Sequence, residues 1–494
     1  MTHHIYDGKI RTNQWLTHYI RATRTSSRSR SSLSAANIME LLLLLPFLLA
    51  CSLFFTVSTS SKDACDSQIN DFQHLNSTGL HLTLHHPQSP CSPAPLPSDL
   101  PFSAVIAHDA ARIARLTTKT PTSRPTSLHH DNNLAGSLAS TVPLAPGASI
   151  GVGNYVTRLG LGTPATMYTM VVDTGSSFTW LQCSPCSVSC HKQTGQLYDP
   201  RASSTYTAVP CSATQCSELE SATGQPHGCS RSNVCVYQAV YGDQSYSIGY
   251  LSKDTVFFAS TRFSGFYYGC GQDNEGLFGQ SAGLIGLARN KLSLFYQLAP
   301  SLGSSFSYCL PTSTSSSAGY LSIGSYNPGK YSFTPLVSSS LDGSLYSVSF
   351  TGMSVGGSPL AVSSSEYSSL PTIIDSGTVI TRLPKAVYTA LSKAVAAAMG
   401  GTPRATGDSL LDTCFKGQAS KLRVPAVNMV FAGGATLKLA AGNVLYDLDE
   451  SRTCLAFAAT DLGVTIIGNT QQQTFSFVYD VTQSRIGFAP GGCS

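Results

Sequence analysis

The sequence predicts an all-β protein, mainly strands with a few short helices, folded as two similar lobes around one cleft. Three observations lead there. Only 11% of the residues are charged and glycine is frequent, with 42 copies, a composition of strands and turns rather than of long helices. The chain has 494 residues, more than one hydrophobic core usually holds. And one local pattern, an apolar strand that stops abruptly at an acid, occurs twice.

The first copy is Val171-Val172-Asp173-Thr174-Gly175-Ser176-Ser177, entered through Met167, Tyr168 and Met170. The second is Ile373-Ile374-Asp375-Ser376-Gly377-Thr378, 202 residues on (375 minus 173). A single Asp-Ser/Thr-Gly is an ordinary turn in which the acid caps its own backbone. Two copies, each closing a buried strand, ask for a function, because a carboxylate at such a place is costly without one. Each copy is followed by an apolar strand ending in glycine, Ala282-Gly283-Leu284-Ile285-Gly286-Leu287 and Gly463-Val464-Thr465-Ile466-Ile467-Gly468-Asn469. The repeated order indicates a duplicated body in which each half gives one Asp to a shared site.

Two carboxylates about 3 Å apart cannot both ionise and share one proton. One then acts as base on a water while the other donates to a carbonyl oxygen, and no covalent intermediate is needed. Gly175 and Gly377 let the backbone turn closely. The hydroxyls of Ser176 and Thr378 are placed to bond the outer carboxylate oxygens.

Residues 1–38 are polar and Arg/Ser-rich. Met39 stands just before the apolar run Leu41–Val57, and small residues follow. Residues 39–61 therefore read as a secretory signal peptide, and 1–38 as an extension upstream of the true start. Two other readings stand, a signal anchor and an organelle transit peptide. Residues 62–144 are rich in Pro, His and Ser and read as a propeptide, with a disordered linker as the other reading. It is open apart from one amphipathic helix over 104–116, cationic and suited to blocking an acid site. Asn76-Ser77-Thr78 is a glycosylation sequon in this segment. The histidines concentrate here and upstream (His3, His4, His81, His85, His86, His129, His130) and read as solvated.

The N-terminal lobe spans 145–330 and the C-terminal lobe 331–494. Strands are expected at Asn154–Leu161 and into Asp173, with Gly162-Thr163-Pro164 as the turn between them. Seven cysteines within 183–235 mark a disulfide-stapled insertion. Val234–Val240 and Tyr250–Phe258 flank Tyr241-Gly242-Asp243-Gln244-Ser245 as a hairpin with a polar tip. Ser-rich stretches at 312–318 and 338–344 bracket the crossing between lobes. Pro384–Met399 is the best helix, with Pro at its start.

Of the 15 cysteines, the twelve from Cys183 to Cys493 are an even set, suited to full pairing in an oxidising compartment. Cys183-x2-Cys186 lacks the partner spacing of a zinc site, so no metal and no cofactor are expected. Residues 145–494 carry 19 basic and 18 acidic residues. This near-neutral body has no basic face for nucleic acid. Serine or cysteine protease chemistry has no supporting constellation.

With these residues in view, the chain resembles the pepsin-like aspartic proteases, and more narrowly their plant nepenthesin-type branch. The resemblance covers about 153–490 and rests on VVDTGSSFTWLQC, YGDQSYSIGYLSKDT, AGLIGLA, IIDSGTVITRLP and VTIIGNTQQQTFSFVYD. It implies the bilobal pepsin-like fold, with Asp173 and Asp375 as the catalytic pair. Thr174 and Ser376 would interlock the lobes. Tyr241, Gly242 and Asp243 would lie on a flap over the cleft, supported by Trp180. Carrying over the branch's pairing implies six disulfides: Cys183 with Cys186, Cys190 with Cys270, Cys211 with Cys235, Cys216 with Cys229, Cys309 with Cys493, and Cys414 with Cys454. Gln244 stands where the branch usually has Gly. The function implied is a monomeric, secreted acid endopeptidase acting on polypeptides, made as a zymogen without a stable membrane anchor. The apoplast is the expected location, with vacuole or chloroplast as alternatives. Two other functions belong to relatives of this fold: a non-catalytic inhibitor or binding protein of the cell wall, and a chloroplast protease that also binds DNA.

Overall fold

In the computed structural model of the chain, residues 80–86, 89, 91–94, 109 and 154–493 are described, except 242–244, 277, 314, 316–317, 340, 409 and 462. The expectations for the extension 1–38, the signal 39–61, the sequon at Asn76 and the flap tip Gly242, Asp243 and Gln244 fall outside the described residues. Of the helix expected over 104–116, one residue is described: Asp109, which is helical.

The apolar run into the first acid forms a strand, Thr166–Asp173, whose last six residues are all buried. Such a continuous apolar run suits a strand covered on both faces and paired in parallel. Its parallel neighbour is Gly283–Gly286, with Gly286 opposite Asp173. The second acid repeats this arrangement. The buried strand Thr372–Ile374 pairs in parallel with Thr465–Ile467. Further along, Trp180–Gln182 runs antiparallel to the first glycine-ended strand with Trp180 opposite Leu284. Thr381–Pro384 does the same to the second, with Arg382 opposite Ile466. The duplication read from the sequence is thus a duplication of strand register.

Glycine is required where these strands end. A Cβ on Gly286 would lie 2.3 Å from the Ser177 carbonyl carbon, and one on Gly468 would lie 2.8 Å from the Val379 oxygen. The loop behind each acid passes too close to tolerate any side chain.

One ten-stranded sheet contains the first motif and the hairpin Cys235–Val240/Tyr246–Phe258. An eleven-stranded sheet contains the second motif, the C-terminal strands Ser476–Asp480 and Arg485–Ala489, and, at its far edge, Leu80–Leu84. Helix Lys385–Ala398 follows Pro384 as expected and buries Val387, Tyr388, Leu391 and Val395. The largest group of buried side chains extends through both halves, from Leu82 to Phe488.

Leu80–Leu84 corrects the reading of 62–144 as open apart from one helix. This strand pairs antiparallel with Gly319–Ile323, Leu82 opposite Leu321. Its sequence, LHLTL, alternates apolar and polar residues with the period of a strand, and Leu82 and Leu84 are buried. The described histidines here, His81, His85 and His86, are not solvated either. His86 is 9% exposed and packs edge-on to Tyr155 with ring centroids 5.4 Å apart. His85 bridges to Val156 through both backbone groups, at 2.9 and 3.2 Å. Burial lowers the pKa of His81, and it pushes His85 and His86 down to about 4, with the Arg158 charge a smaller cause at His85.

All twelve cysteines from 183 to 493 are paired, but four of the six implied pairings are wrong. Cys183 joins Cys270 and Cys186 joins Cys190. Cys211 joins Cys229 and Cys216 joins Cys235. Strand register explains the first exchange. Trp180–Gln182 runs parallel to Gly269–Gly271, and the Cys183 N–H bonds Gly271, so Cys183 arrives beside Cys270. Cys190 lies opposite Asn274, four residues further along that strand, about 13 Å away. Burial explains the second exchange. Cys216 is on the buried face of helix Thr214–Thr223 and meets fully buried Cys235, leaving Cys211 to the exposed Cys229.

The other two pairs are those the resemblance implies. Cys309 joins Cys493, and Cys414 joins Cys454. Cys309 ends the buried strand Ser305–Cys309 and packs with Tyr320 and Cys493, which ties the chain's last residues to the eleven-stranded sheet. Cys414 and Cys454 are both fully buried and stand directly opposite each other where Cys414–Lys416 runs antiparallel to Arg452–Leu455. Cys91, in the upstream segment, is disulfide-bonded too.

Candidate active site

Asp173 and Asp375 are both fully buried, each at the turn that ends its strand. Each turn closes in the same way. The Gly175 N–H donates to Asp173 Oδ1 at 2.9 Å, and the Gly377 N–H donates to Asp375 Oδ1 at 2.9 Å. The residues after the acids join the two motifs to each other. Ser376 N–H donates to Thr174 Oγ1 at 2.9 Å, Thr174 N–H donates to Ser376 Oγ at 3.2 Å, and the two hydroxyls lie 3.3 Å apart. These contacts bridge 202 residues of sequence and are buried, so they hold the two acid turns side by side. The interlocking expected of Thr174 and Ser376 is the geometry observed.

The hydroxyls expected on the outer carboxylate oxygens behave unequally. Thr378 Oγ1 donates to Asp375 Oδ2 at 2.7 Å. Ser176 Oγ, by contrast, makes no hydrogen bond among the described residues. That corrects the symmetrical expectation. Threonine's β-branch restricts its χ1 and aims its hydroxyl, whereas serine's rotor carries no such restriction.

Behind the turns lies a polar layer that the motifs do not announce. Asp375 N–H bonds Ile467 O at 3.1 Å, and Leu287 N–H bonds Asp173 O at 2.9 Å. Gln472 Nε2 donates to Asp375 O at 3.2 Å and to Ile467 O at 2.8 Å. The Tyr308 hydroxyl donates to Gln472 Oε1 and lies 2.9 Å from the Tyr479 hydroxyl. Burial raises the pKa of both phenols, with the Asp375 charge adding to it, so both stay neutral donors. Asn469 Nδ2 donates to Ser376 O at 3.1 Å. These residues fix the backbone on which Asp375 sits. Gln471, Gln472 and Gln473 form an unusual polar run after an apolar strand, which is the sequence signal that points to them.

The hairpin closes with Tyr241 N–H bonding Ser245 O at 2.7 Å. Trp180 is fully buried and its indole N–H donates to the Tyr241 hydroxyl at 2.7 Å. Phe278, not singled out from the sequence, stands edge-on to both rings, with centroids 4.8 Å from Trp180 and 5.7 Å from Tyr241. Among the described residues no group of His, Cys, Asp and Glu side chains is arranged to hold a metal ion. The described residues also contain no helix long and apolar enough to cross a membrane.

With this geometry in place, comparison with known proteins agrees on the family. Residues 155–325 match the family model described as xylanase inhibitor N-terminal, and residues 345–490 match its C-terminal counterpart. Aspartyl protease AED1 of Arabidopsis thaliana is 36% identical over 442 residues, covering 89% of this chain and 92% of the relative. Aspartyl protease family protein 2, also from Arabidopsis thaliana, is 40% identical, covering 80% and 81%. Aspartic proteinase nepenthesin-2 of Nepenthes gracilis is 35% identical, covering 69% and 78%. Among solved structures, soybean basic 7S globulin superposes with a TM-score of 0.55 at 22% identity, covering 68% of this chain and 93% of the globulin. At that identity the match speaks to the fold alone. By its sequence, its mainly-β two-lobed fold and these relatives, the chain belongs to the pepsin-like aspartic proteases, in their plant nepenthesin-type branch.

Proposed function

We propose that the protein is an endopeptidase that hydrolyses polypeptides at acid pH. The observation that carries this reading is the set of crossing hydrogen bonds between Thr174 and Ser376, which joins the turns of two carboxylates, each capped by a glycine N–H. Asp173 and Asp375 then share one proton. The ionised member draws a proton from a water as its oxygen attacks the scissile carbonyl carbon. The protonated member donates to the carbonyl oxygen, giving a neutral tetrahedral intermediate. Its collapse returns a proton to the leaving nitrogen. Thr378 and the two glycine N–H groups hold the carboxylates in orientation, and Tyr241, braced by Trp180, covers the substrate.

On this reading the chain is a secreted zymogen without nucleic-acid partner or membrane anchor, acting as a monomer in the apoplast. The docked strand Leu80–Leu84 supports the zymogen part, since a segment that pairs with the body's sheet is well placed to hold it inactive. Wild-type protein, incubated with unfolded casein at acid pH, is expected to cleave it in a pepstatin-sensitive manner. No cleavage at any acid pH would overturn the proposal.

A second reading, a non-catalytic inhibitor of a cell-wall glycosidase, is supported by the description of the matching family models. The presence of both complete acid motifs favours the first. Titration against a xylanase separates the two: inhibition without proteolysis would establish the second.

A further inference from the structure

The duplicated register brings two residues to equivalent places on the two halves. Trp180 stands seven residues after Asp173 and pairs opposite Leu284; Arg382 stands seven after Asp375 and pairs opposite Ile466. Trp180 reaches the flap residue Tyr241. Arg382, at the matching place on the other half, is a buried cation, 3% exposed.

Arg382 is met by Asp109, a fully buried carboxylate from the segment upstream of the body. Asp109 Oδ2 lies 3.0 Å from Arg382 Nη2 and accepts the Ile380 N–H at 3.2 Å. Asp109 Oδ1 accepts the Val379 N–H at 2.5 Å. Arg382 Nη1 is braced on the Ile380 carbonyl at 3.2 Å. The charge of Asp109 also reaches Tyr446 on a neighbouring strand. Two adjacent backbone donors and one guanidinium thus converge on a single carboxylate. The first of those donors is one residue beyond Thr378, whose hydroxyl holds Asp375. A buried guanidinium without an anion is strongly unfavourable, so the donors are built for an acid, and a neutral amide satisfies them poorly.

We propose that Arg382 with the N–H groups of Val379 and Ile380 forms a carboxylate subsite of the cleft, which Asp109 fills in cis and an aspartate or glutamate side chain of a peptide substrate fills once the upstream segment has left. The substrate half of this rests on the endopeptidase reading; the existence of the subsite does not.

The subsite is tested without catalysis. In full-length Asp109→Ala, N-acetyl-aspartate N-methylamide should raise the thermal midpoint, and the matching asparagine compound should not. Adding Arg382→Leu should abolish the response. Should Asp109→Ala fail to fold, Asp109→Ser serves, because it keeps a small polar side chain and still vacates the place of the carboxylate. No response to the aspartate compound, or an equal response to both compounds, overturns the subsite. Specificity is read separately on the activated protein at about pH 5, where a peptide Asp is ionised. Peptide pairs carrying Asp or Asn at each position in turn should show a kcat/KM ratio of about tenfold or more at one position, about 1.4 kcal/mol. That ratio should collapse towards one in Arg382→Met. A flat ratio at every position in wild type overturns the substrate assignment. Failure to cleave any peptide overturns the endopeptidase reading and leaves the binding result to decide the subsite.

Discussion

Thr174→Val is the most informative perturbation of the joint between the two acid motifs. It keeps the side-chain shape and removes Oγ1. The 2.9 Å bond from the Ser376 N–H and the 3.3 Å contact with Ser376 Oγ are both lost. Thr174 and Ser376 are buried at 0% and 1% exposure, so the Ser376 N–H is left without water. A stranded buried donor costs about 1–3 kcal/mol and a long neutral bond contributes about 0.5 kcal/mol. The expected loss is about 2–3 kcal/mol. For a unit of this size that lowers the calorimetric midpoint by roughly 4–6 °C, at the low end of the usual shift per kcal/mol. Ser376→Ala removes the acceptor of the Thr174 N–H at 3.2 Å and should cost a similar amount. Because both changes delete the same hydroxyl contact, the double variant should be less destabilised than the sum by about 0.5 kcal/mol, the weight of that one contact. The kcat of Thr174→Val should fall about 100-fold, the scale of an ångström-sized misplacement of a reacting group. Single changes each costing under about 0.5 kcal/mol would refute the claim that these hydroxyls tie the motifs together.

Docking of the upstream strand should weaken with acid. His85 and His86 hold a pKa of about 4 when docked, against about 6.5 when free. Above about pH 6.5 both states are neutral and docking is unaffected. Below it the released segment takes up protons that the docked one refuses, so docking loses up to about 3 kcal/mol per histidine by about pH 4. Amide exchange over 80–84 should accelerate across that window in wild type and less in His85→Gln/His86→Phe; protection that stays flat would contradict this. Thr378→Val removes a bond to a carboxylate and should lower kcat by about 10- to 100-fold, while Ser176→Ala should change it less than about threefold; equal effects would restore the symmetrical arrangement. Non-reducing peptide mapping should recover Cys183 linked to Cys270 and Cys190 linked to Cys186, and a peptide joining Cys190 to Cys270 would overturn the register argument.

Much of the site was legible because its information is local. Asp173 and Asp375 announce themselves by an acid at the end of an apolar strand, and the repeat of that pattern implies the pseudo-symmetry. Helix Lys385–Ala398 follows from a proline start and an apolar stripe. What was not legible depends on contacts between distant segments. Gln472, Tyr308 and Tyr479 become a support for Asp375 only when the strands of the two tyrosines, 171 residues apart in sequence, are brought together. Disulfide partners follow strand register, and register is not written in cysteine spacing. His85 and His86 looked solvated because polar neighbours surround them in sequence, yet the two buried leucines of LHLTL draw the strand, and the histidines with it, onto the sheet. Asp109 lies in a stretch whose sequence predicts a cationic helix. Its partner, Arg382, lies 273 residues away (382 minus 109).

The two buried carboxylates carry the proposed chemistry, and replacing each by its neutral amide tests it. Proteolysis of unfolded casein at acid pH by Asp173→Asn and by Asp375→Asn should fall on the order of 1000-fold or more in each variant, with the calorimetric transition retained. Either folded variant cleaving at close to the wild-type rate would contradict a shared proton between Asp173 and Asp375.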